Sequence, residues 1–300
     1  MGQIVKPQPA DAGAVRGWLS ALRGRYRFLE VMPIGRSVVG REIYGAMLGT
    51  GQQRVLYAAA FHAQEWLTSL VTLRFCEELC QALHSDMPFL GVDLRDALAG
   101  RCLVLLPQVN PDGVDIALHG AESAGDWCES VRSHGGDEPG RWQANARGVD
   151  LNHNYDAGRE QLIAMERAQG IDGPCARQWC GPAAHSEPET QAVVSLCERA
   201  KFRHVLALHS QGEEIYWQYG DRTPPSAHMM AKILASASGY TVAQPDGLAS
   251  HGGFKDWFIQ QTGRPGFTIE LGRGVNPLPL ADFEPLYEKV REMLLLAALM

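Results

Sequence analysis

The sequence predicts an α/β fold in which helices cover both faces of a sheet. Three observations carry that expectation. The runs RVLYAAAF, RCLVLLPQV, RHVLAL and PGFTIEL are almost wholly apolar in their interiors, the composition of strands buried on both sides. Longer amphipathic or helix-favouring stretches separate these runs. No internal repeat, low-complexity tract or linker divides the chain, so residues 1–300 are expected to form one domain.

The elements follow in order. PADAGAVRGWLSALRGRY reads as a first helix, and RFLEVMPIG and REIYGAMLG as two strands joined by RSVVG. The apolar RVLYAAAF is a central strand, followed by a helix from about Glu65 to His84. RCLVLLPQV is a second buried strand. From Asn110 to Pro188 the chain is polar, Gly-rich and weakly periodic, which predicts functional loops. SEPETQAVVSLCERA opens with Ser186 and carries Glu189 three residues on, the signature of a capping box at a helix start. RHVLALHS and EEIYWQYG read as strands, SAHMMAKILASAS and FKDWFIQQ as helices, and PGFTIELG as a last strand. LADFEPLYEKVREMLLLAALM closes the chain as a helix whose apolar end packs inward.

Composition narrows the function. The net charge of -7 argues against a nucleic-acid backbone as partner, which needs a basic face. No apolar run reaches the length of a membrane span, and the N-terminal MGQIVKPQPADAG lacks the apolar core of a secretory signal. Seven irregularly spaced cysteines read as reduced thiols of a cytoplasmic protein. Cys175 and Cys180, which flank ARQW, are read in the same way rather than as a second metal site.

Four ionisable groups fall just past or at the C-terminal ends of three apolar runs: His62 and Glu65, His209, and Glu270. That rim is where open α/β sheets bind ligands, and a Glu or His buried there without a partner is costly. Two readings of HAQE, residues 62–65, compete. One is a helix start with a satisfied histidine; the other is half of a metal site. Catalytic zinc takes three N/O protein ligands, and His62, Glu65 and His209 can supply them. Glu270 would stay free of the metal as general base and then proton donor.

The motifs FHAQE, LALHSQ, NARGVDLNHNYD, PQVNPDGV and FTIELG, in that order, resemble landmarks of the zinc metallocarboxypeptidase family over nearly the whole chain. The resemblance implies a twisted, mixed and mostly parallel eight-stranded sheet between helices, one Zn2+ per chain, and peptide or amide hydrolysis. It implies His62, Glu65 and His209 as metal ligands and Glu270 as the catalytic carboxylate, and so decides HAQE in favour of the metal.

The departures from the family pattern bear on the substrate. Gln64 and His153 stand where the family has arginines for a free C-terminal carboxylate, Gln143 where an Arg polarises the carbonyl, and Leu248 where it has a Tyr. An amide cannot replace a guanidinium fork, so a simple C-terminal trimming enzyme is not expected. Gln143 becomes the candidate oxyanion donor, with Asn152, His153, Gln64 and Arg147 as candidate substrate contacts. The sequence leaves open which of Arg141, Arg147, Arg177 and Arg273 meets a substrate carboxylate, and whether Glu213 and Glu214 receive an amine or form a solvated turn.

LHSQGEEIYWQYG, GPAAHSEPET, GGFKDWFIQ and IELGRGVNPLP resemble bacterial γ-D-glutamyl-meso-diaminopimelate peptidases. That resemblance implies a hydrolase acting on small muropeptides, expected in the cytoplasm, with neither nucleic acid nor membrane as partner. Another short acidic peptide, or a binding protein without activity, are the alternatives. The sequence sets no oligomeric state.

Overall fold

A computed structural model describes residues 2–138 and 140–300. Its strands are β1 (Glu30–Arg36), β2 (Glu42–Leu48), β3 (Gln53–Ala59), β4 (Arg101–Leu106), β5 (His204–His209), β6 (Glu214–Tyr216), β7 (Thr241–Ala243) and β8 (Gly266–Glu270). They form one eight-stranded sheet in the order β1-β2-β4-β3-β5-β8-β6-β7. The four central strands β4, β3, β5 and β8 run parallel, whereas β2 joins β4, and β6 joins β8, antiparallel. This is the mixed, mostly parallel architecture expected of the sequence.

The helices are α1 (Ala12–Arg25), α2 (Leu67–Ser85), α3 (Leu94–Ala97), α4 (Pro111–His119), α5 (Cys128–Ser133), α6 (Arg159–Ala168), α7 (Pro188–Ala200), α8 (Ser226–Ser238), α9 (Phe254–Thr262) and α10 (Phe283–Leu299). Side chains alternate across each central strand, so each strand feeds two cores. Tyr57, Leu103, Leu206 and Ile269 pack with α1, α2, α8 and α10. Leu56, Val104, Val205 and Ala207 pack with Val193 and Cys197 of α7 and with Phe254, Trp257 and Phe258 of α9. The apolar end of α10 buries Met293, Leu294 and Leu295, and its carbonyls at Leu294 and Ala297 receive Tyr57 Oη and His204 Nε2 from the sheet. Asp11 caps α1 by accepting from Ala14 N at 2.7 Å, a contact worth about 1 kcal/mol.

Two local expectations fail. The stretch from Asn110 to Pro188 contains α4, α5 and α6 rather than loops alone. The capping box at Ser186 does not form: Pro188 is the first helical residue, Glu187 precedes it, and Ser186 Oγ donates to Glu187. Glu189 instead points inward, accepting from Val38 N at 3.1 Å and Asn145 Nδ2 at 3.3 Å.

Burial and then the Asp112 carboxylate push Glu189 up from 4.5 to about 8, against the pull of the Val38 N–H. The folded chain thus holds this proton to a higher pH than the unfolded chain. Its stabilising contribution is complete below about pH 4.5 and is lost as pH rises through about 8. Glu189→Gln should flatten that decline, which amounts to a few kcal/mol. Urea midpoints at about pH 5 and about pH 8.5 measure it, and a wild-type midpoint that does not fall between them contradicts the assignment.

Candidate active site

The chain leaves β3 at Ala59 and turns through Ala60, which has φ of 50°, into Phe61 and His62. A single 3₁₀ turn, Ala63–Glu65, leads into α2 and puts Glu65 beside His62. Thr68 fastens this corner, donating from Oγ1 to Glu65 O and accepting from Ala60 N. Asn110, the residue that caps the start of α4, braces it. Its Nδ2 donates to Phe61 O at 3.0 Å and to Ala144 O at 3.1 Å, and its Oδ1 accepts from Gly113 N. A Cβ at Gly113 would stand 2.3 Å from Ala144 O, so only glycine permits this approach. The loops carrying His62 and Gln143 are thereby stitched together, with Ala63 N donating to Gln143 O.

His209 ends β5 directly across from Glu270, which ends β8. The His209 ring stacks on Phe61, with centroids 5.3 Å apart and planes 16° from parallel. His62 Nδ1 lies 2.8 Å from Glu65 Oε1, and His209 Nδ1 lies 3.0 Å from Glu65 Oε2. These three residues bring one donor atom each within 4.8 Å of one another. Two ring nitrogens bound tetrahedrally to one zinc at about 2.0–2.1 Å stand ~3.3 Å apart. The two Nδ1 atoms here are 3.3 Å apart, so the donor set fits a single zinc ion.

A zinc-binding histidine usually has an acceptor on its other nitrogen. For His62 that acceptor is Asp150, whose Oδ1 lies 3.2 Å from Nε2, within ion-pair distance though not aligned as a hydrogen bond. His209 Nε2 has no such neighbour: it is buried without a hydrogen bond, and its ring stacks on Phe61. Burial opposes charging of His62, but Glu65 and Asp150 together hold its pKa well above the ordinary value. Burial likewise opposes ionisation of Glu65, yet the two histidines bring it down to about 2. For Glu270, burial and then the Glu65 and Glu214 carboxylates push the carboxyl well above the ordinary range.

A cavity of about 300 Å³ opens beside these groups. His62, Glu65 and Glu270 stand in its wall with Gln64, Gln143, Asn152, His153 and Leu248. Gln143 is held at both ends: Nε2 donates to Asp150 Oδ2 at 2.7 Å, and Oε1 accepts from Arg177 Nε at 3.1 Å. Asn152 Oδ1 accepts from Phe254 N. His153 Nδ1 lies 2.9 Å from Gln178 O and 3.2 Å from Glu166 Oε1. Burial disfavours the His153 cation, but Asp150, Glu166 and the Gln178 carbonyl outweigh it and raise its pKa.

Arg147 is not brought into the cavity. Its guanidinium lies over Trp127 and 3.7 Å from Glu187. Arg141 pairs with Glu138, and Arg273 with Glu213, so of the four arginines singled out only Arg177 reaches the cavity wall. Glu213 is taken by Arg273 and Lys289, and Glu214 by Tyr216 Oη; neither lines the cavity. Sequence reasoning overlooked Asp150, which anchors His62 and Gln143. It also overlooked Asn276, whose Nδ2 lies 3.4 Å from Glu65 Oε1. Both lie in motifs quoted above, NARGVDLNHNYD and IELGRGVNPLP, and that is the only signal the sequence gives for them.

Two imidazoles and a carboxylate on one side, with a second carboxylate standing free at the end of the next strand, define a zinc metallopeptidase. The zinc carboxypeptidase (peptidase M14) profile matches residues 15–293. The chain belongs to that family.

Among characterised relatives, the chain is 36% identical over 288 residues to gamma-D-glutamyl-L-diamino acid endopeptidase 1 of Lysinibacillus sphaericus, covering 94% of this chain and 70% of that protein. It is 26% identical over 277 residues to carboxypeptidase B of Bos taurus, covering 85% and 61%. Among solved structures, thrombin activatable fibrinolysis inhibitor superposes with a TM-score of 0.74 at 20% identity, covering 99% of this chain and 79% of that one. The murein-tripeptide amidase of Escherichia coli O157 gives 0.55 at 21% identity, covering 89% and 91%.

Proposed function

We propose that the chain is a zinc hydrolase that cuts the γ-D-glutamyl bond to meso-diaminopimelate in short peptidoglycan-derived peptides. The observation that carries this reading is the similarity over 94% of the chain to an endopeptidase named for γ-D-glutamyl-L-diamino acid bonds. The cavity supports it, since its wall carries Arg177, His153 and the Lys255–Asp256 pair where an apolar residue would need none of them. Residues 1–300 act as one catalytic unit in this reading. The reading places the enzyme in the cytoplasm, in keeping with seven free cysteines in a reducing compartment. Among the described residues no helix is long and apolar enough to cross a membrane.

His62, Glu65 and His209 would hold the zinc, which when bound polarises a carbonyl and makes water a stronger acid. Glu270 takes the proton of the attacking water and returns it to the leaving amine. Asn152 and His153 face the carboxylate of the residue on the leaving side. Gln64 lies along the same wall. Arg147 keeps no direct part in this scheme, given its partners Glu187 and Trp127.

Gln143 retains one amide N–H for the developing oxyanion and fixes Arg177 beside it. Gln143→Ala removes both effects and should lower kcat by about 10²–10³-fold, with a smaller rise in KM. A silent Gln143→Ala beside a damaged Arg177→Ala would show that the guanidinium works without its anchor.

The test of function is zinc-loaded protein incubated with L-Ala-γ-D-Glu-meso-diaminopimelate and, separately, with blocked dipeptides ending in Phe or Leu, products being read by mass spectrometry. Release of diaminopimelate is expected. Rapid release of Phe or Leu with an intact tripeptide would make the chain a plain carboxypeptidase.

A further inference from the structure

His153 stands buried in the cavity wall, and its ring is fixed from behind. Nδ1 lies 2.9 Å from Gln178 O and 3.2 Å from Glu166 Oε1. A backbone carbonyl only accepts, so Nδ1 carries a hydrogen and Nε2 is the ring nitrogen left for a ligand. A neutral ring would then offer a lone pair at Nε2, which repels a carboxylate. The imidazolium offers a charged N–H there, which binds one. Unlike a guanidinium, an imidazole is charged at working pH only where its surroundings make it so.

Glu166 contributes such surroundings. It is 2% exposed on α6, a helix that otherwise buries only Leu162. A carboxylate buried there is costly unless it is paired. Among the described residues its one ion-pair partner is His153, and its other oxygen accepts from Cys180 N at 3.3 Å. Burial opposes the His153 cation, and Asp150, Glu166 and the Gln178 carbonyl outweigh it. Asp150 acts from a distance, because its own oxygens face His62, Gln143 and the amides of Asn152 and Gln178. The remaining charged groups around the ring are engaged elsewhere. Arg177 is held by Gln143, Arg159 by the Cys180 and Gly181 carbonyls, and His251, beside the Gly252 that packs on His153, by Tyr219 Oη. The Cys180 thiol, pushed up to about 12 by burial and then by Glu166, stays uncharged.

We infer that Glu166 is a positioning residue for substrate: through Nδ1 it orients the His153 ring and keeps it an imidazolium, so that Nε2–H is presented to the carboxylate beside the scissile bond. This rests on the His153 contact proposed above and names the group that makes it work. Glu166 itself touches no substrate. A contact made alike in the ground state and the transition state sets KM rather than kcat. As pH rises the ring loses its proton and its hold on the carboxylate, and without Glu166 that loss begins at a lower pH.

The experiment uses the full zinc-loaded chain and two substrates, L-Ala-γ-D-Glu-meso-diaminopimelate and the same peptide amidated on the carboxylate beside the scissile nitrogen. At about pH 7.5 wild type should prefer the carboxylate by roughly tenfold or more in kcat/KM. In Glu166→Gln, whose amide can still accept from Nδ1 but carries no charge, that preference should shrink several-fold through KM, with kcat kept, and return at about pH 5.5. In a His153→Gln background, adding Glu166→Gln should change the preference no further. Each preference is a ratio within one preparation at one pH, so losses of folded or metal-loaded enzyme cancel. A wild-type ratio near one, an unchanged ratio in Glu166→Gln, or an equal further loss in the His153→Gln background overturns the inference and leaves the proposed function standing. If wild type cuts neither peptide, the proposed function fails, and the His153 ring is titrated by NMR, its signal assigned by its loss in His153→Gln. A ring that titrates above about 6.5 in wild type and lower in Glu166→Gln supports the role of Glu166, and a titration that Glu166→Gln does not move overturns it.

Discussion

Glu270→Gln should keep its zinc and nearly all of its affinity for substrate, and lose roughly 10²–10⁴-fold in kcat. Glu270 is placed by the sheet itself. It ends β8 in register with His209 of β5, so any ion held by His209 has this carboxylate as its neighbour across one strand pair. Its oxygens are not among the three donors that converge, which leaves them free for proton transfer. Glutamine keeps the shape and cannot take a proton. Interactions made with the ground state survive, and those made only in the transition state do not. Pre-steady-state and steady-state rates on the γ-D-glutamyl tripeptide separate the two, and wild-type turnover in the variant would remove Glu270 from the chemistry.

His209→Ala should lose both zinc and activity. Two donors remain in that variant, one short of what catalytic zinc sites use. The change also empties the space stacked against Phe61 and leaves one Glu65 oxygen without its 3.0 Å partner. Metal analysis of the purified variant, with circular dichroism to show that it is folded, decides the matter. A full equivalent of zinc together with full turnover would take His209 out of the site. His62→Ala should behave alike, and it also removes the one cationic partner 3.2 Å from the buried Asp150 carboxylate, leaving that group to Gln143 and the Asn152 and Gln178 amides.

What the sequence made legible was what local chemistry dictates. The central strands β3, β4, β5 and β8 are apolar because both of their faces are covered, and that pattern needs no partner to be recognised. The edge is different. β7 spans only Thr241–Ala243, is partly exposed, and is recruited by pairing with β6, so nothing in its own composition announces it. Helix α4 was hidden by Pro111 and Gly113, residues that weaken a helical pattern although the first is suited to a helix start and the second to the close approach of Ala144 O. Helix α6 buries only Leu162 and Glu166, too little for an apolar stripe.

The candidate metal donors were legible because two share one turn and the third ends a strand, and because HAQE and LALHSQ resemble landmarks of the zinc carboxypeptidase family. The rest of the cavity was not. Arg177 and Arg147 are equally plausible as sequence, and only the path of the loops sends one to Gln143 and the other to Trp127. Lys255 and Asp256 look like the polar start of a surface helix until the fold turns that end of α9 into the cleft. Glu189 shows the converse, a residue whose spacing from Ser186 mimics a cap while tertiary contacts with Val38 and Asn145 claim its side chain.

The most direct measurement is a titration of metal-free protein with zinc, with cleavage of L-Ala-γ-D-Glu-meso-diaminopimelate followed at each addition. Activity should rise in proportion to bound zinc and break sharply at one equivalent per chain, as a single His62–Glu65–His209 centre requires. Full cleavage by the metal-free protein, a break at two equivalents, or a fully loaded protein that leaves the tripeptide intact would contradict it.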